Sequence, residues 1–219
     1  MDVVLFGASG MVGQGVLREC LLDPEVHRVL SIGRTSIGQQ HPKLREIVRT
    51  NLFDYSDIEP NLVGYDACFF CLGVSAAGMS EDDYRRVNYD IPLAAATTLL
   101  KVNPGMTFIY VSGTGTDSTE RGRTMWARVK GATENALLRL PFKAAYMFRP
   151  GFIQPMHGET SKTRLYRVFY VIARPLMPLL KRFFPKYVTT TEKIGRAMIN
   201  VARNGAPKAI LETEDINGL

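Results

Sequence analysis

The chain has 219 residues, 46% of them hydrophobic and 22% charged, and a formal net charge of +6. This composition predicts one domain with a sizeable core. It excludes a membrane-spanning class, because no apolar run is long enough to cross a bilayer. Three cysteines indicate a reducing compartment rather than a disulfide framework, and no secretory signal precedes the first apolar run, so we expect a cytoplasmic protein.

A strand, a glycine turn and a helix open the chain. Four apolar residues, 3–6, predict a buried strand, and glycines at 7, 10 and 13 lead into an amphipathic helix. The N–H groups of such a turn and of the helix N-terminus attract an anion, typically a pyrophosphate. The alternative is a purely structural glycine turn. The predicted cofactor-binding residues of this turn are Gly7, Ser9, Gly10, Met11, Val12 and Gly13.

The second predicted strand, 28–32, ends in Gly33, Arg34, Thr35 and Ser36. In dinucleotide folds an acid here binds the ribose 2′-hydroxyl of NAD, whereas an arginine pairs with the 2′-phosphate of NADP. No acid follows until Glu46. Arg34, with Thr35 or Ser36 as an additional donor, therefore favours NADP over NAD, the alternative being a solvated loop arginine.

A third strand, 46–50, leads into Asn51 and Leu52, which we expect to border the adenine. A fourth strand, 66–73, ends in Leu72 and Gly73, where the backbone approaches the cofactor closely. Cys68 and Cys71 lie within it on opposite faces, which indicates core thiols. Ser80 is expected to begin a helix that breaks or kinks near Pro92 before an alanine-rich helix.

The fifth strand, 107–112, is followed by a polar loop, 112–117, at the carboxyl edge of the sheet, where open α/β sheets bind ligands. A helix over about 124–140 places Trp126 and Lys130 on one face. A sixth strand, 144–149, precedes Pro150 and Gly151. Thr189 and Glu192 match a capping box for the next helix, and 209–211 is the last predicted strand.

Positive charge is concentrated near the C-terminal third. No acid lies between Glu159 and Glu192, and seven lysines and arginines fall there. We expect one domain, 1–219, in which 152–190 form a helical lobe on the substrate side. Within it, 162–186 predict short amphipathic helices that form a lid with a basic outer face. The alternative interpretation is that 162–186 contact a membrane surface peripherally.

These motifs together resemble the extended and atypical short-chain dehydrogenase/reductases, in particular the small NAD(P)-binding proteins described as epimerase/dehydratase-like. The resemblance covers essentially the whole chain and implies a doubly wound, mostly parallel Rossmann sheet with helices on both faces. The matching pieces are Gly7-x-x-Gly10-x-x-Gly13, Gly33-Arg34, Leu72-Gly73, Val87-Asn88, Val111-Ser112-Gly113, Val129-Lys130-Gly131, Arg149-Pro150-Gly151 and Leu211-Glu212.

In that superfamily a serine or threonine orients the substrate carbonyl, and a tyrosine four residues before a lysine donates the proton. Here either Ser112 or Thr114 matches the hydroxyl and Lys130 the lysine, but Trp126 occupies the tyrosine position. An indole N–H does not give up its proton. His157 is the predicted substitute donor, the alternatives being a hydrogen-bonded loop histidine, Tyr84, Asp117 or solvent.

The resemblance also implies that Pro150, Gly151 and Ile153 line the cofactor site. The leading hypothesis is an NADPH-dependent reductase of a small apolar or aromatic acceptor, with NAD the less favoured cofactor. The second is a non-catalytic NADPH-binding regulator. The third hypothesis is that 162–186 bind nucleic acid or a membrane surface. Of these two partners, nucleic acid is the less favoured. A homodimer is the expected assembly.

Overall fold

The structure is a computed structural model that describes residues 1–159 and 185–219. Seven described strands form one parallel sheet, which confirms the predicted Rossmann-type α/β fold. They are Asp2–Phe6 (β1), Arg28–Gly33 (β2), Leu44–Val48 (β3), Ala67–Phe70 (β4), Thr107–Val111 (β5), Ala144–Arg149 (β6) and Ile210–Glu212 (β9). Across the sheet they follow the order β3-β2-β1-β4-β5-β6-β9.

Helices cover both faces of this sheet. The described α-helices are Met11–Leu22 (α1), Glu81–Arg85 (α2), Ile91–Val102 (α3), Met125–Leu138 (α4), Thr191–Asn204 (α5) and Thr213–Gly218 (α6). On one face α1 packs against α5, and their apolar side chains bury Val3 and Leu5 of β1. On the other face α3 covers Phe6 and Phe70, whose rings stack with centroids 5.0 Å apart.

The strand order reverses beside β1. The chain runs outward from β1 through β2 to β3 and then returns to place β4 on the other side of β1. Crevices at such reversal points, outside the carboxyl ends of the strands, are where open α/β sheets hold ligands. The glycine turn after β1 and the residues after β4 meet at this crevice.

Several local predictions were wrong. β4 ends at Phe70 rather than at Gly73, so Cys71, Leu72 and Gly73 follow the strand. β3 spans Leu44–Val48 rather than 46–50, because Leu44 pairs with Val29 and is buried in the core. Of the predicted break or kink near Pro92, the break does not occur, because Pro92 lies in the first turn of α3, where a missing N–H costs nothing. The hydroxyl of Thr190, not Thr189, caps α5 by accepting a hydrogen bond from the Lys193 N–H at 3.1 Å.

A π-helical turn, Arg86–Asp90, joins α2 to α3 instead of a break. It leaves the carbonyl oxygen of Asn88 to accept side-chain hydrogen bonds from Tyr110 at 3.3 Å and Thr133 at 2.8 Å. Asn88 is fully buried. The turn therefore fixes this side chain beneath the carboxyl edge of β4 and β5.

A second, two-stranded parallel sheet joins Phe152–Gln154 (β7) to Val188–Thr190 (β8). It brings the chain after β6 together with the N-terminus of α5. The lid helices predicted within 162–186 fall on residues that, up to 184, lie outside the described part of the chain. All three cysteines are free, and Cys68 and Cys71 pack into opposite layers of the core, as predicted.

Candidate cofactor and active site

The glycine turn brings α1 against the ends of β1 and β4. Gly7 has a φ of +81°, and a Cβ on it would lie 2.6 Å from the Leu72 nitrogen. A Cβ on Gly13 would lie 2.1 Å from the carbonyl oxygen of Gly7. Both distances are shorter than any real contact, so side chains at these positions would push α1 away from the turn.

The N-terminus of α1 is open to an anion. Its N-cap residue is Gly10, which has no side chain to cap the helix, and the first turn contains no acid. The first N–H groups of a helix lack intrahelical partners, and the helix dipole favours negative charge there. Ser9, Met11 and Val12 are partly exposed around this end. The turn fits the diphosphate of a dinucleotide, because its glycines keep the approach clear.

Arg34 follows β2 directly and is exposed. Among the described residues it has no hydrogen-bond or ion-pair partner. The first acid after Arg34 in the chain, Glu46, accepts a hydrogen bond from the Ile37 N–H at 3.1 Å. Arg34 is therefore available to an external anion, and the side chain that an NAD site would use is engaged elsewhere.

The predicted adenine contacts differ in exposure. Asn51 is exposed, and its Oδ1 accepts a hydrogen bond from the Phe53 N–H at 2.9 Å, which leaves its amide N–H groups for a ligand. Leu52 is only 1% exposed and packs in the core. Leu72 is partly buried and Gly73 exposed at the crevice. Contact between Leu52 and an adenine stays a prediction.

Lys130 projects from α4 to the carboxyl edge of the sheet. Its Nζ donates to the Val111 carbonyl at 3.4 Å and lies 5.2 Å from the centroid of the Tyr110 ring. A Cβ on Gly73 would be 3.8 Å from this Nζ and 3.1 Å from Oδ1 of Asn88. Gly73 thus opens the crevice between an ammonium and a buried amide.

Oδ1 of Asn88 has no hydrogen-bond partner within the described chain, although the amide nitrogen donates to the Tyr84 carbonyl at 3.2 Å. A buried acceptor without a donor is costly, which indicates a group that this part of the site holds when it is filled. Burial also lowers the pKa of Lys130 from 10.5 to about 8, although the charge of Glu134 opposes the shift. The amide and the amine fit the polar end of a dinucleotide.

The two candidate hydroxyls are already engaged. The Ser112 Oγ lies 2.5 Å from Oε1 of Glu134 and 3.1 Å from the Phe148 carbonyl. The Thr114 Oγ1 donates to the Arg149 carbonyl at 3.0 Å. Each hydroxyl has a single proton to donate. Both of these protons are directed at protein acceptors.

A buried ion pair lies behind these hydroxyls, and the sequence analysis missed it. Glu134 is fully buried and forms several hydrogen bonds with Arg149, whose Nη2 also donates to Ser118 at 2.5 Å. Burial lowers the pKa of Arg149, but its interactions with Glu134 outweigh that effect and raise it. The pair ties α4 and the end of β6 to the loop after β5. The only signal in the sequence was an acid one turn after Lys130.

Trp126 lies in the first turn of α4, on the same helix face as Lys130. Its ring approaches the loop after β5, where a Cβ on Gly115 would be 3.5 Å from the indole. The helix begins at Met125, close to the predicted start. Contact between Trp126 and a cofactor stays a prediction.

His157 is placed beside the glycine turn rather than beside Lys130. Its Nε2 lies 3.0 Å from Oε2 of Glu192, at the start of α5. It borders a groove of about 720 Å³ whose lining includes Ser9, Arg18 and Thr35. The role of His157 as proton donor stays a prediction.

The other candidate donors are poorly suited. Tyr84 is buried. Asp117 accepts hydrogen bonds from Thr119 and from the Gly122 N–H, and these lower its pKa, so it is ionised at neutral pH. An ionised carboxylate has no proton to donate.

Pro150, Gly151 and Ile153 lie where β6 passes into the small sheet. The Pro150 carbonyl accepts from the Thr114 N–H at 3.0 Å, and the Gly151 N–H donates to Thr213 at 2.7 Å. A Cβ on Gly151 would be 2.7 Å from the Tyr187 carbonyl oxygen, so the close approach of these two backbone segments requires glycine. Ile153, in β7, packs against the core layer of α1 and α5.

No protein-family model matches the chain. It is 25% identical over 206 residues to the protein fmp52, mitochondrial, of Emericella nidulans, a match that covers 91% of this chain and 86% of that relative. It is 29% identical over 155 residues to the protein HTATIP2 of Rattus norvegicus, which covers 69% of this chain and 62% of that relative. The second match spans less than two thirds of HTATIP2.

Solved structures show the same fold. A UDP-N-acetylglucosamine 4-epimerase of Methanobrevibacter ruminantium superposes with a TM-score of 0.69 at 18% identity, covering 95% of this chain and 74% of that one. A short-chain dehydrogenase family protein of Francisella tularensis gives 0.65 at 18%, covering 93% and 91%. The enzyme WbmF of Bordetella bronchiseptica, solved with NAD+, gives 0.68 at 14%, covering 99% and 76%.

The parallel sheet and the glycine turn give this chain the same fold as these solved structures, among them a short-chain dehydrogenase family protein and an enzyme solved with NAD+. In sequence the chain is similar to HTATIP2 and to the fmp52 proteins. The resemblance inferred from the sequence motifs is thereby confirmed.

The expected cytoplasmic location was wrong. The fmp52 relatives from Emericella nidulans, Scheffersomyces stipitis, Eremothecium gossypii and Saccharomyces cerevisiae all carry a mitochondrial designation. Within the described ranges, no helix is long and apolar enough to cross a membrane. Over those same ranges, no cluster of histidine, cysteine and acidic side chains is suited to hold a metal ion.

Proposed function

We propose that the protein binds NADP(H) in the crevice between β1 and β4 and reduces a small apolar or aromatic acceptor there. The observation that carries the proposal is the Lys130 ammonium at the carboxyl edge, beside Gly73 and the unpartnered Asn88 amide oxygen. NAD+ is bound in the solved WbmF enzyme of the same fold. When bound, the reduced nicotinamide supplies the hydride.

The diphosphate, the 2′-phosphate and the nicotinamide ribose each have a counterpart in the chain. The N–H groups at the start of α1 hold the diphosphate, because that helix end is uncapped and free of acids. Arg34 pairs with the 2′-phosphate. Lys130 donates to one hydroxyl of the nicotinamide ribose, and its ammonium also adds positive charge near the diphosphate.

Steady-state oxidation of NADPH tests the activity, with benzaldehyde and menadione as a carbonyl and a quinone probe. We expect turnover with at least one of them that exceeds turnover with NADH at equal concentration. Absence of oxidation with both probes, in a protein that binds NADPH, contradicts the reductase proposal and leaves the binding proposal in place.

Arg34→Ala is expected to remove most of the preference for NADPH over NADH. A hydrogen bond to a charged group contributes about 1.5–3 kcal/mol, which corresponds to roughly 10- to 150-fold in affinity. Isothermal calorimetry with both cofactors measures the change. The affinity for NADH should stay constant, because NADH lacks the 2′-phosphate that Arg34 is proposed to contact.

Arg139→Ala is the matched control, since Arg139 is an exposed arginine at the opposite end of α4. It should leave both dissociation constants unchanged. Equal affinities of the parent protein for NADPH and NADH would show that Arg34 does not select the cofactor.

Trp126 fluorescence is expected to change on titration with NADP+. Trp126 is the only tryptophan, so the signal has one source. The oxidised cofactor is used because only the reduced form absorbs where tryptophan emits. An unchanged emission in a sample that calorimetry shows to be saturated would place Trp126 away from the cofactor.

A second candidate function is a non-catalytic NADPH-dependent regulator. Trp126 at the tyrosine position and the engaged hydroxyls of Ser112 and Thr114 favour it. It predicts NADPH binding with no oxidation of either probe.

A further inference from the structure

The side chains expected to handle the proton are not free to do so. The protons of Ser112 and Thr114 point at protein acceptors, and Trp126 has no acidic proton. His157 pairs with Glu192 next to the glycine turn. If a carbonyl is reduced in this crevice, another group must protonate the alkoxide that forms.

Lys130 has N–H groups to spare at the right place. An ammonium has three donors. Across the described chain, its only hydrogen bond is a long one of 3.4 Å to the Val111 carbonyl. Glu134, one helical turn away, does not pair with it, because that carboxylate is bonded to Arg149 and Ser112.

We propose that Lys130 is itself the proton donor, in the role that a tyrosine has in related enzymes. The proposal rests on the proposed reductase function. The carbonyl carbon accepts a hydride from reduced nicotinamide, which is thereby oxidised, and the carbon–oxygen π bond breaks. The electron pair moves to the oxygen, which takes a proton from Nζ. The neutral amine then regains a proton from water.

The surroundings of Nζ support this chemistry. Burial lowers the pKa of Lys130 to about 8, so the group is mostly protonated at neutral pH but releases its proton far more easily than an exposed lysine. The titratable groups that face it are Tyr110 from β5 and Glu134 from α4, with Arg149 of β6 behind Glu134. Burial raises the pKa of Tyr110, so that phenol stays neutral.

The first readout does not involve turnover. Trp126 lies one helical turn from Lys130, so its emission should follow the charge of that amine. Titrated from about pH 6 to about pH 10, the parent protein should show an inflection near 8. Lys130→Arg keeps the charge but does not titrate in this range, so the inflection should disappear. Lys101→Arg, at an exposed lysine of α3, is the matched control and should retain it.

The second readout is NADPH-dependent reduction of benzaldehyde. For the parent protein, kcat/KM should fall about tenfold for each pH unit above 8, because the proton donor is lost. Lys130→Arg should lower kcat by about 10²- to 10⁴-fold, the usual contribution of a general acid. Calorimetry should still show NADPH binding to this variant, which separates proton donation from cofactor affinity.

Three results would overturn the proposal. They are an emission titration without an inflection near 8, an inflection that survives in Lys130→Arg, or loss of the alkaline fall in rate in His157→Gln rather than in Lys130→Arg. A different result would contradict the reductase function, and this inference with it. It is an emission inflection that depends on Lys130 together with no oxidation of NADPH by either probe.

Discussion

Replacing Gly13 with alanine is expected to abolish measurable NADPH binding and to destabilise the fold. The new Cβ would lie 2.1 Å from the Gly7 oxygen, 2.6 Å from its carbonyl carbon and 2.9 Å from Cα of Ala8. All three are backbone atoms, so no side chain can move aside. Overpacking of this kind costs about 1–3 kcal/mol, and here the relief requires α1 to withdraw from the turn.

That withdrawal has a direct consequence for the cofactor, because the helix end and the turn bind the diphosphate together. Affinity for NADPH should fall by more than about 100-fold, which calorimetry and denaturant unfolding measure side by side. Gly105→Ala is the control: no atom lies within 4 Å of its added Cβ, and its φ is not positive. A Gly13→Ala protein that binds NADPH as the parent does would exclude the turn as the binding site.

The part of the fold nearest the N-terminus was predictable because sequence-local rules decide it. A continuous apolar run gives β1, and glycine at 7, 10 and 13 leaves one compact way to join it to α1. The limits of β6, 144–149, were also predicted correctly. Buried and exposed side chains do not alternate clearly along this strand, but Pro150 and Gly151 mark its end.

Other elements depend on long-range partners that periodicity does not reveal. β7 and β8 have three residues each, too few for a pattern, and they exist because they pair with each other across a long separation in sequence. The π-helical turn at Arg86–Asp90 is another case. It is stabilised by the hydroxyls of Tyr110 and Thr133, which come from a strand and a helix later in the chain.

In the candidate site, too, some features were predictable from the sequence and others depend on long-range partners. The positions of Arg34, Gly73 and Lys130 at one edge follow from each lying at the end of a strand or on the following helix, so the sequence sufficed. The hydrogen bonding of the Ser112 and Thr114 hydroxyls could not be predicted from the sequence. Whether a hydroxyl faces a substrate depends on Glu134 and on the Arg149 carbonyl, which reach these residues only in the folded protein.

The buried ion pair offers the last test. Glu134→Leu is expected to lower the free energy of unfolding by about 3–5 kcal/mol, because Arg149 would be left as a buried cation. Its next carboxylate, Glu212, is 3.5 Å away and nearly half exposed. Urea denaturation measures the loss. The same substitution removes the negative charge that holds the pKa of Lys130 up, so the Trp126 inflection should move below 8.

The double variant Glu134→Leu/Arg149→Met decides between an ion-pair effect and a packing effect. When both charges are removed together, no unpaired group remains, so the double variant should be more stable than either single variant. Glu214→Gln is the exposed control, because its pair with Lys186 is solvated on both sides and should contribute less than about 1 kcal/mol. If the two single losses simply add in the double variant, the charges do not interact, and the contribution of Glu134 to stability comes from packing alone.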